Sequence, residues 1–452
     1  MSALLALSIA PRQSWADKIH DSDDPHGVVY VQTNDYRAGH NAVNAYRRDA
    51  AGCLQLLGSY ATGGTGVFNF DDRIGPDDHA QEVIANKDHS LLFTVNGGSD
   101  DVSVFNINRD GSLTLAHGSP VNSNGIQPVS LGLSGTDLIV VNQDGDPNRP
   151  GLQTSTHPNY TEFRVVPNGK LVAIPNSTIE LPQMSTPTQA LVSPFGVYFF
   201  GDLLSGTPFP SGVGSIAPGL LPAAGSALQA FYKNPNQRFT QSPNSPMAPP
   251  PDAQAAPTIA QSRYTLGMDA HPYLPVVYVG YVVTNRLGVF TYDALGSLHF
   301  VKDVPLGTND ITVCWIKVSP DGRWVFTSNA GSNSIDVFDI SGTVIQGSGP
   351  LSPMLVQSLP LKVPAGAPAS EAQPVPGVFN YPTVSFQIET DPSGRFLYSV
   401  AHELVPNNDY PQGNVIHTVQ VGQDGKLTEP SCSPVQVTNI PSGAHPQGVV
   451  AF

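Results

Sequence analysis

Basic residues are scarce in this chain: 21 Lys+Arg stand against 36 Asp+Glu in 452 residues, a formal net charge of −15. A phosphate backbone is held by counterion release onto clustered Lys and Arg, so nucleic acid is a poor partner class. Charge of either sign is thin, 13% of residues against roughly 25% in ordinary globular proteins. That composition argues against a helical bundle or coiled coil. Three cysteines, Cys53, Cys314 and Cys432, are too few and too far apart for a metal motif. They cannot all pair, and all three read as structural, with Cys53–Cys432 a candidate disulfide. No apolar run reaches the roughly 18 residues of a membrane span. The chain also lacks a Gly-rich phosphate loop, a Gly-x-Ser-x-Gly elbow and a His-Glu-x-x-His pair, so those chemistries are without their signatures.

What is abundant is turn chemistry. Gly and Pro number 43 each, 19% of the chain against an average of roughly 12%, which favours many short strands joined by tight turns. The hydrophobic share of 40% can bury a large core, and one domain of this length requires a repeat architecture. Such a repeat is present. Asn86 to Asn96 aligns without gaps on Ser319 to Asn329, and Gly98 to Ile107 on Gly331 to Ile340, a strand, tight turn and strand with period-two alternation. Further copies start at Asp391, His271, Ser193 and Leu138. A Gly-x-Leu turn then opens a fourth strand at Gly52, Gly111, Gly169, Gly296 and Gly425.

Four strands per unit predict an all-β, seven-bladed β-propeller. Inner strands are expected near Gln81, Gln127, Gln189, Leu266, Trp315 and Phe386, with a split seventh unit. There the segment Pro446 to Phe452 supplies the first strand of a blade whose other three begin at Gly27, a 1+3 closure of the first blade. Residues 17–452 are then one domain, with long loops at 143–158, 202–225, 241–261, 343–381 and 402–413. Residues 1–16 look like the second half of a signal peptide: Ser2 to Ala10 are apolar, and Ser14 and Ala16 are small residues at a cut before Asp17. Export to a secreted or periplasmic location is the expectation, and a disordered or packed tail is the alternative.

The Ser-Pro-Asp-Gly-Arg turn at Ser319 to Arg323, its Asp-Pro-Ser-Gly-Arg variant at Asp391 to Arg395 and the run from Asn329 to Phe338 resemble the lactonase-type seven-bladed propellers. That family includes 6-phosphogluconolactonase and the carboxy-cis,cis-muconate cyclases. The resemblance covers about Gly27 to Phe452, but its motifs specify blade turns rather than chemistry. It implies opening or closing of a lactone ring without a redox cofactor, in a pocket over the central channel. An exported lactonase-like hydrolase, or a cyclase or isomerase, acting as a monomer on a small lactone or cyclic ester is therefore expected. The alternative is a non-catalytic extracytoplasmic propeller that binds a protein or glycan through its loop-rich face.

Lactone chemistry needs a base to activate water, a donor for the oxyanion and a cation for any carboxylate. The segments leading into the inner strands offer His79, Gln81, Gln127, Gln189, Arg263, Asp310 and His445, the last followed by Gln447. His402-Glu403 replaces the small residues of sister repeats (Ala330-Gly331, Gly97-Gly98), and Arg286 opens a third strand as an anion holder. His79, His402, Glu403 and His445 are the catalytic candidates. Gln81, Gln127, Gln189, Arg263, Arg286 and Asp310 are the binding candidates; for each Gln or His of the entry segments taken alone a cap on a strand end is the better explanation, and as a group they weigh more. No metal site is required. Asp144, Asp146 and Asn148 alternate with an oxygen spacing that can hold Ca²⁺, and an ordinary Asp-Gly turn explains them as well.

Overall fold

The computed structural model describes residues 27–67, 79–144, 156–183, 185–204, 226–250, 265–282, 284–367, 381–404 and 410–452. Alternating Val, Ile, Phe and Tyr form the strands, and Gly, Asn and Asp supply the turns between them. The strands assemble into seven antiparallel sheets in which chain order equals spatial order from the inside out. Blade 1 is closed by Gln447–Ala451, which pairs with Gly27–Gln32, so the split blade has one strand from the end of the chain and three from its start. Val28 and Phe452 exchange both backbone hydrogen bonds, at 2.6 and 3.0 Å, so the inner edge of Gly27–Gln32 is covered.

Blades 2 to 7 have their innermost strands at Val83–Ala85, Pro128–Ser134, Leu191–Val192, Thr265–Ala270, Val313–Val318 and Thr383–Thr390. Gly52, Gly111, Gly169, Gly296 and Gly425, read as fourth-strand turns, all have φ between +74 and +90°. An L side chain is disfavoured there, and at Gly425 a Cβ would also sit 2.6 Å from the Trp324 ring of the preceding blade. The outer strand breaks in several blades. The serine after each break then accepts a third-strand N–H: Ser119 from Val104, Ser177 from Glu162, Ser245 from Ala230 and Ser433 from Thr418. Those buried donors would otherwise have no partner.

The core is not one mass but seven clusters, one at each blade–blade interface. Cys53 of blade 1 and Cys432 of blade 7 form a disulfide across one of these interfaces, spanning 379 residues of sequence. Cys314 is buried and remains a thiol, its Sγ 3.4 Å from the carbonyl oxygen of Thr312.

One expected loop is different. Residues 343–381 were read as a single segment leading into blade 7, yet Met354–Pro360 is the outer strand of blade 6. The strand escapes the short Gly-x-Leu signal because the connection into it is long: the Asp339 carboxylate holds the first turn by accepting the backbone N–H groups of Ser341, Val344 and Ile345, and the strand starts only at Met354. The segments 1–26, 145–155, 205–225, 251–264, 368–380 and 405–409, with the signal-peptide reading and most of the other long loops, lie outside the described residues. No helix among the described residues is long and apolar enough to cross a membrane.

Candidate functional site

In this topology the segments leading into innermost strands and those joining second to third strands open on one face, here called upper. Innermost strands run from that face down the axis. In blades 1, 3, 5, 6 and 7 the pairing register of the innermost strand slips by one or more residues near its upper end. Such bulges re-aim side chains, and here they turn polar groups toward the axis. Gln81 (φ +68°), Gln127 (φ +52°) and Thr312 (φ +62°) are left-handed non-glycine residues at these upper ends. Strain of this kind persists where the surroundings enforce it, and it gathers at functional sites.

Three of the four catalytic candidates are imidazoles buried near the upper end of the axis. His402 extends the second strand of blade 7 by pairing with Val384 where sister blades turn away. Its ring stacks on Phe386 at 4.0 Å and on His445 at 5.0 Å, and Trp315 lies tilted against Phe386 at 4.8 Å. His402 Nε2 lies 2.6 Å from the carbonyl oxygen of Pro446. A carbonyl only accepts, so Nε2 carries the proton and Nδ1 the lone pair. Nδ1 has no hydrogen-bond partner, and neither has Nε2 of His445 or Nε2 of Gln447. Burial, and then the neighbouring His445, pull the His402 pKa well below its ordinary value. Burial also brings His445 to about 4, and His79 to about 3 against an opposing hydrogen bond to Gln143.

Glu403 points away from His402, as alternation along a strand requires. Its carboxylate accepts the N–H of Tyr410 at 2.6 Å. His79 is tied to the axis through its carbonyl, which accepts Trp315 Nε1 and Gln387 Nε2. Gln189 donates to Gln81 at 2.9 Å and exchanges two hydrogen bonds with the backbone of Met268, so blades 2, 4 and 5 are joined across the axis. Gln127 lies further out, where its N–H donates to Asp100. Arg286 is not at the axis: it pairs with Asp303 of its own blade's outer strand at 2.6 Å. Asp310 sits between blades 5 and 6, accepting hydrogen bonds from Ser332 and Ser334. Arg263, Asp146 and Asn148 are outside the described residues, and Asp144 accepts Thr156 Oγ1. Among the described residues no three His, Cys, Asp or Glu converge to hold a metal ion.

Asp310 brings a second carboxylate into play. Asp336, fully buried, accepts the N–H of Gly307, and burial followed by the charge of Asp310 pushes its pKa up. The folded state thus keeps a proton that the unfolded chain gives up near pH 4, and stability falls as pH rises through the folded value. Asp336→Asn, neutral throughout, is expected to gain on the wild type between pH 4.5 and 8 by at least about 1.4 kcal/mol, the equivalent of one pKa unit. Urea midpoints at the two pH values check this, and a difference unchanged with pH would sink it.

Beneath the Gln81–Gln189 bond the channel widens into a cavity of about 260 Å³ reached by the innermost strands of all seven blades. Its lower part holds Asp269, Lys317 and Glu389, which sequence reasoning missed. A signal was present: each stands three residues before the proline of its turn, His271-Pro272, Ser319-Pro320 and Asp391-Pro392, so the repeat alignment stacks them in one column.

No protein-family model matches the sequence, and no curated protein is significantly similar to it. Solved structures are similar in fold. A candidate 6-phosphogluconolactonase from Bacteroides fragilis superposes with a TM-score of 0.59 at 17% identity, covering 96% of this chain and 99% of its own. A second from Bacteroides uniformis gives 0.60 at 15% identity, covering 95% of this chain and all of its own. The periplasmic gluconolactonase of Pseudomonas aeruginosa gives 0.59 at 15% identity over 94% and 99%. The chain therefore has the seven-bladed fold of these lactonase-like proteins.

Proposed function

We propose that the protein is an exported lactonase-like enzyme that opens, or in reverse closes, a small lactone ring at the upper end of its axis. The carrying observation is His402: its ring is fixed by Pro446, kept neutral by burial, and presents an Nδ1 lone pair with no partner. In the reaction Nδ1 takes a proton from water as its oxygen bonds to the carbonyl carbon. The Gln447 amide, whose Nε2 is also without a partner, donates to the developing oxyanion. Collapse breaks the ring C–O bond, and the leaving alkoxide recovers the proton from Nδ1. His445 stacks on the base and Glu403 anchors the strand end that carries it, which makes both positioning residues. Export is supported by the Cys53–Cys432 disulfide, since such bonds persist in oxidising compartments.

A pH-stat assay of the purified protein against phosphorylated and unphosphorylated aldonolactones, muconolactones and simple γ-lactones tests the reading. Acid release is expected to fall at least tenfold in His402→Ala, and kcat/KM is expected not to fall through the range where an ordinary imidazole gains its proton, because burial keeps the base neutral. Absence of turnover on every lactone, with the fold intact by circular dichroism, would overturn it. The second reading, a non-catalytic propeller, is favoured by one observation: Gln81, Gln189 and Gln387 use their amides to tie blades together.

A further inference from the structure

The cavity in the channel has a built asymmetry below the Gln81–Gln189 bond. Asp269, Lys317 and Glu389 occupy one register position in blades 5, 6 and 7, opposite Tyr278, Phe326 and Tyr398 of the second strands. Blades 1, 2 and 4 put Val450, Ile84 and Leu191 at that position, opposite Tyr30, Phe93 and Phe200, and blade 3 adds Leu133 to the wall. The channel at this height is a ring with one charged arc over three adjacent blades and one aliphatic arc over the other four. All three charged groups stand just above the lower turns, and their side chains keep 16%, 26% and 22% of their surface open.

The charged arc carries one cation and two carboxylates. Both oxygens of Glu389 hold Lys317 Nζ, at 2.8 and 2.9 Å, while Asp269 is 3.8 Å away and accepts the N–H groups of Ala270 and Val318. Burial lowers the Lys317 pKa, but Glu389 and Asp269 outweigh it and hold the ammonium charged. The arc therefore has a net charge of −1, with Asp269 the carboxylate less committed to the lysine. A second, independent group points into the same cavity. Gln387 lies two residues above Glu389 on one strand face, is 3% exposed, and gives its amide N–H to Glu82 and to the His79 carbonyl. Its amide oxygen has no partner. A buried acceptor in that state is costly, and a donor on a ligand would satisfy it.

We propose that the lower channel is a binding site for a small aliphatic amine bearing a second hydrogen-bond donor at its far end, an α,ω-diamine or amino alcohol. The ammonium meets Asp269 and Glu389, the methylenes lie along Ile84, Leu133, Leu191 and Val450, and the far donor reaches Gln387 Oε1. Two strand residues span roughly 7 Å, which a chain of about four or five carbons bridges. The aliphatic arc excludes a sugar-like body, and the net charge of −15 favours cation approach. The site uses none of the residues given a part in the His402 reaction, so a failure of lactone turnover would leave this proposal standing.

Isothermal titration of the full chain with 1,5-diaminopentane tests the proposal. Saturable 1:1 binding is expected, at least tenfold tighter than for 1,5-pentanediol, which lacks the cation, or n-propylamine, which cannot reach Gln387. Asp269→Asn and Glu389→Gln are each expected to weaken it at least tenfold. Should Glu389→Gln fail to fold after losing the lysine's partner, Asp269→Asn and the ligand series on the wild type still decide. Absence of a saturable signal at 10 mM diamine, a diol that binds equally well, or an Asp269→Asn affinity equal to wild type overturns the proposal.

Discussion

Deleting Gln447 to Phe452 is expected to abolish cooperative folding. The strand is six residues long at most, yet it lies between blades 7 and 2 and supplies the innermost strand of blade 1. Val449 and Ala451 are buried in the cluster shared with Phe396, Tyr398 and Ile416, while Val450 and Phe452 pack on the opposite side against blade 2. Phe452 also stacks on His89 at 4.2 Å. At about 1.5–3 kcal/mol for each large apolar side chain, the burial lost is of the order of 5–8 kcal/mol before the ladder to Gly27–Gln32 is considered. Typical folding stabilities are about 5–15 kcal/mol, so the truncated chain has little or nothing left. It would also expose Gly27–Gln32 as an apolar edge, a template for aggregation. The check is size-exclusion chromatography with thermal unfolding by circular dichroism. A monomeric truncated chain melting within about 5 °C of the full chain would show that the closure is not what holds the ring.

The closure was readable in the sequence because both halves of the split blade keep the repeat's pattern: Val29, Tyr30 and Val31 read as a second strand lacking a first, and Val449 and Val450 as a first lacking a second. Gly425 and its four counterparts were equally plain, since a left-handed turn admits few residues other than glycine. Met354–Pro360 was hidden because the connection into it is long: Asp339 holds its first turn by accepting N–H groups, and the left-handed Gly342 and Gly347 stand well ahead of the strand instead of opening it. The site was less legible for a different reason. Whether a side chain faces the axis depends on the bulge in each innermost strand, and a one-residue slip exchanges the faces. Arg286, chosen for its charge, sits on a third strand away from the axis, where Asp303 of the outer strand takes that charge. Lys317, on an innermost strand, faces the channel. The value of His402 likewise lies in a fixed tautomer that only the position of Pro446 reveals.

Breaking the Cys53–Cys432 bond should destabilise the protein by about 2–5 kcal/mol, the usual cost of losing a native disulfide. The bond closes a segment of 379 residues, for which the chain-entropy relation gives an upper figure of about 6 kcal/mol. The lower range is the better expectation, because the two blades it joins also share an apolar cluster and pair through Asn44, whose amide donates to the carbonyl of Thr438. Cys53→Ser should lower the urea midpoint and lose all further sensitivity to dithiothreitol, whereas the wild type should move to the same midpoint on reduction. A reduced wild type indistinguishable from the oxidised protein would mean that apolar packing alone carries the seam. The disulfide and the closing strand act on neighbouring parts of one seam, between blade 7 and blade 1. Their effects should therefore not add, because each clamps the same pair of blades and the loss of one leaves less for the other to hold. Shortening the strand by only Ala451 and Phe452 in both backgrounds gives that coupling directly, as a double-mutant cycle whose interaction energy differs from zero by more than about 0.5 kcal/mol.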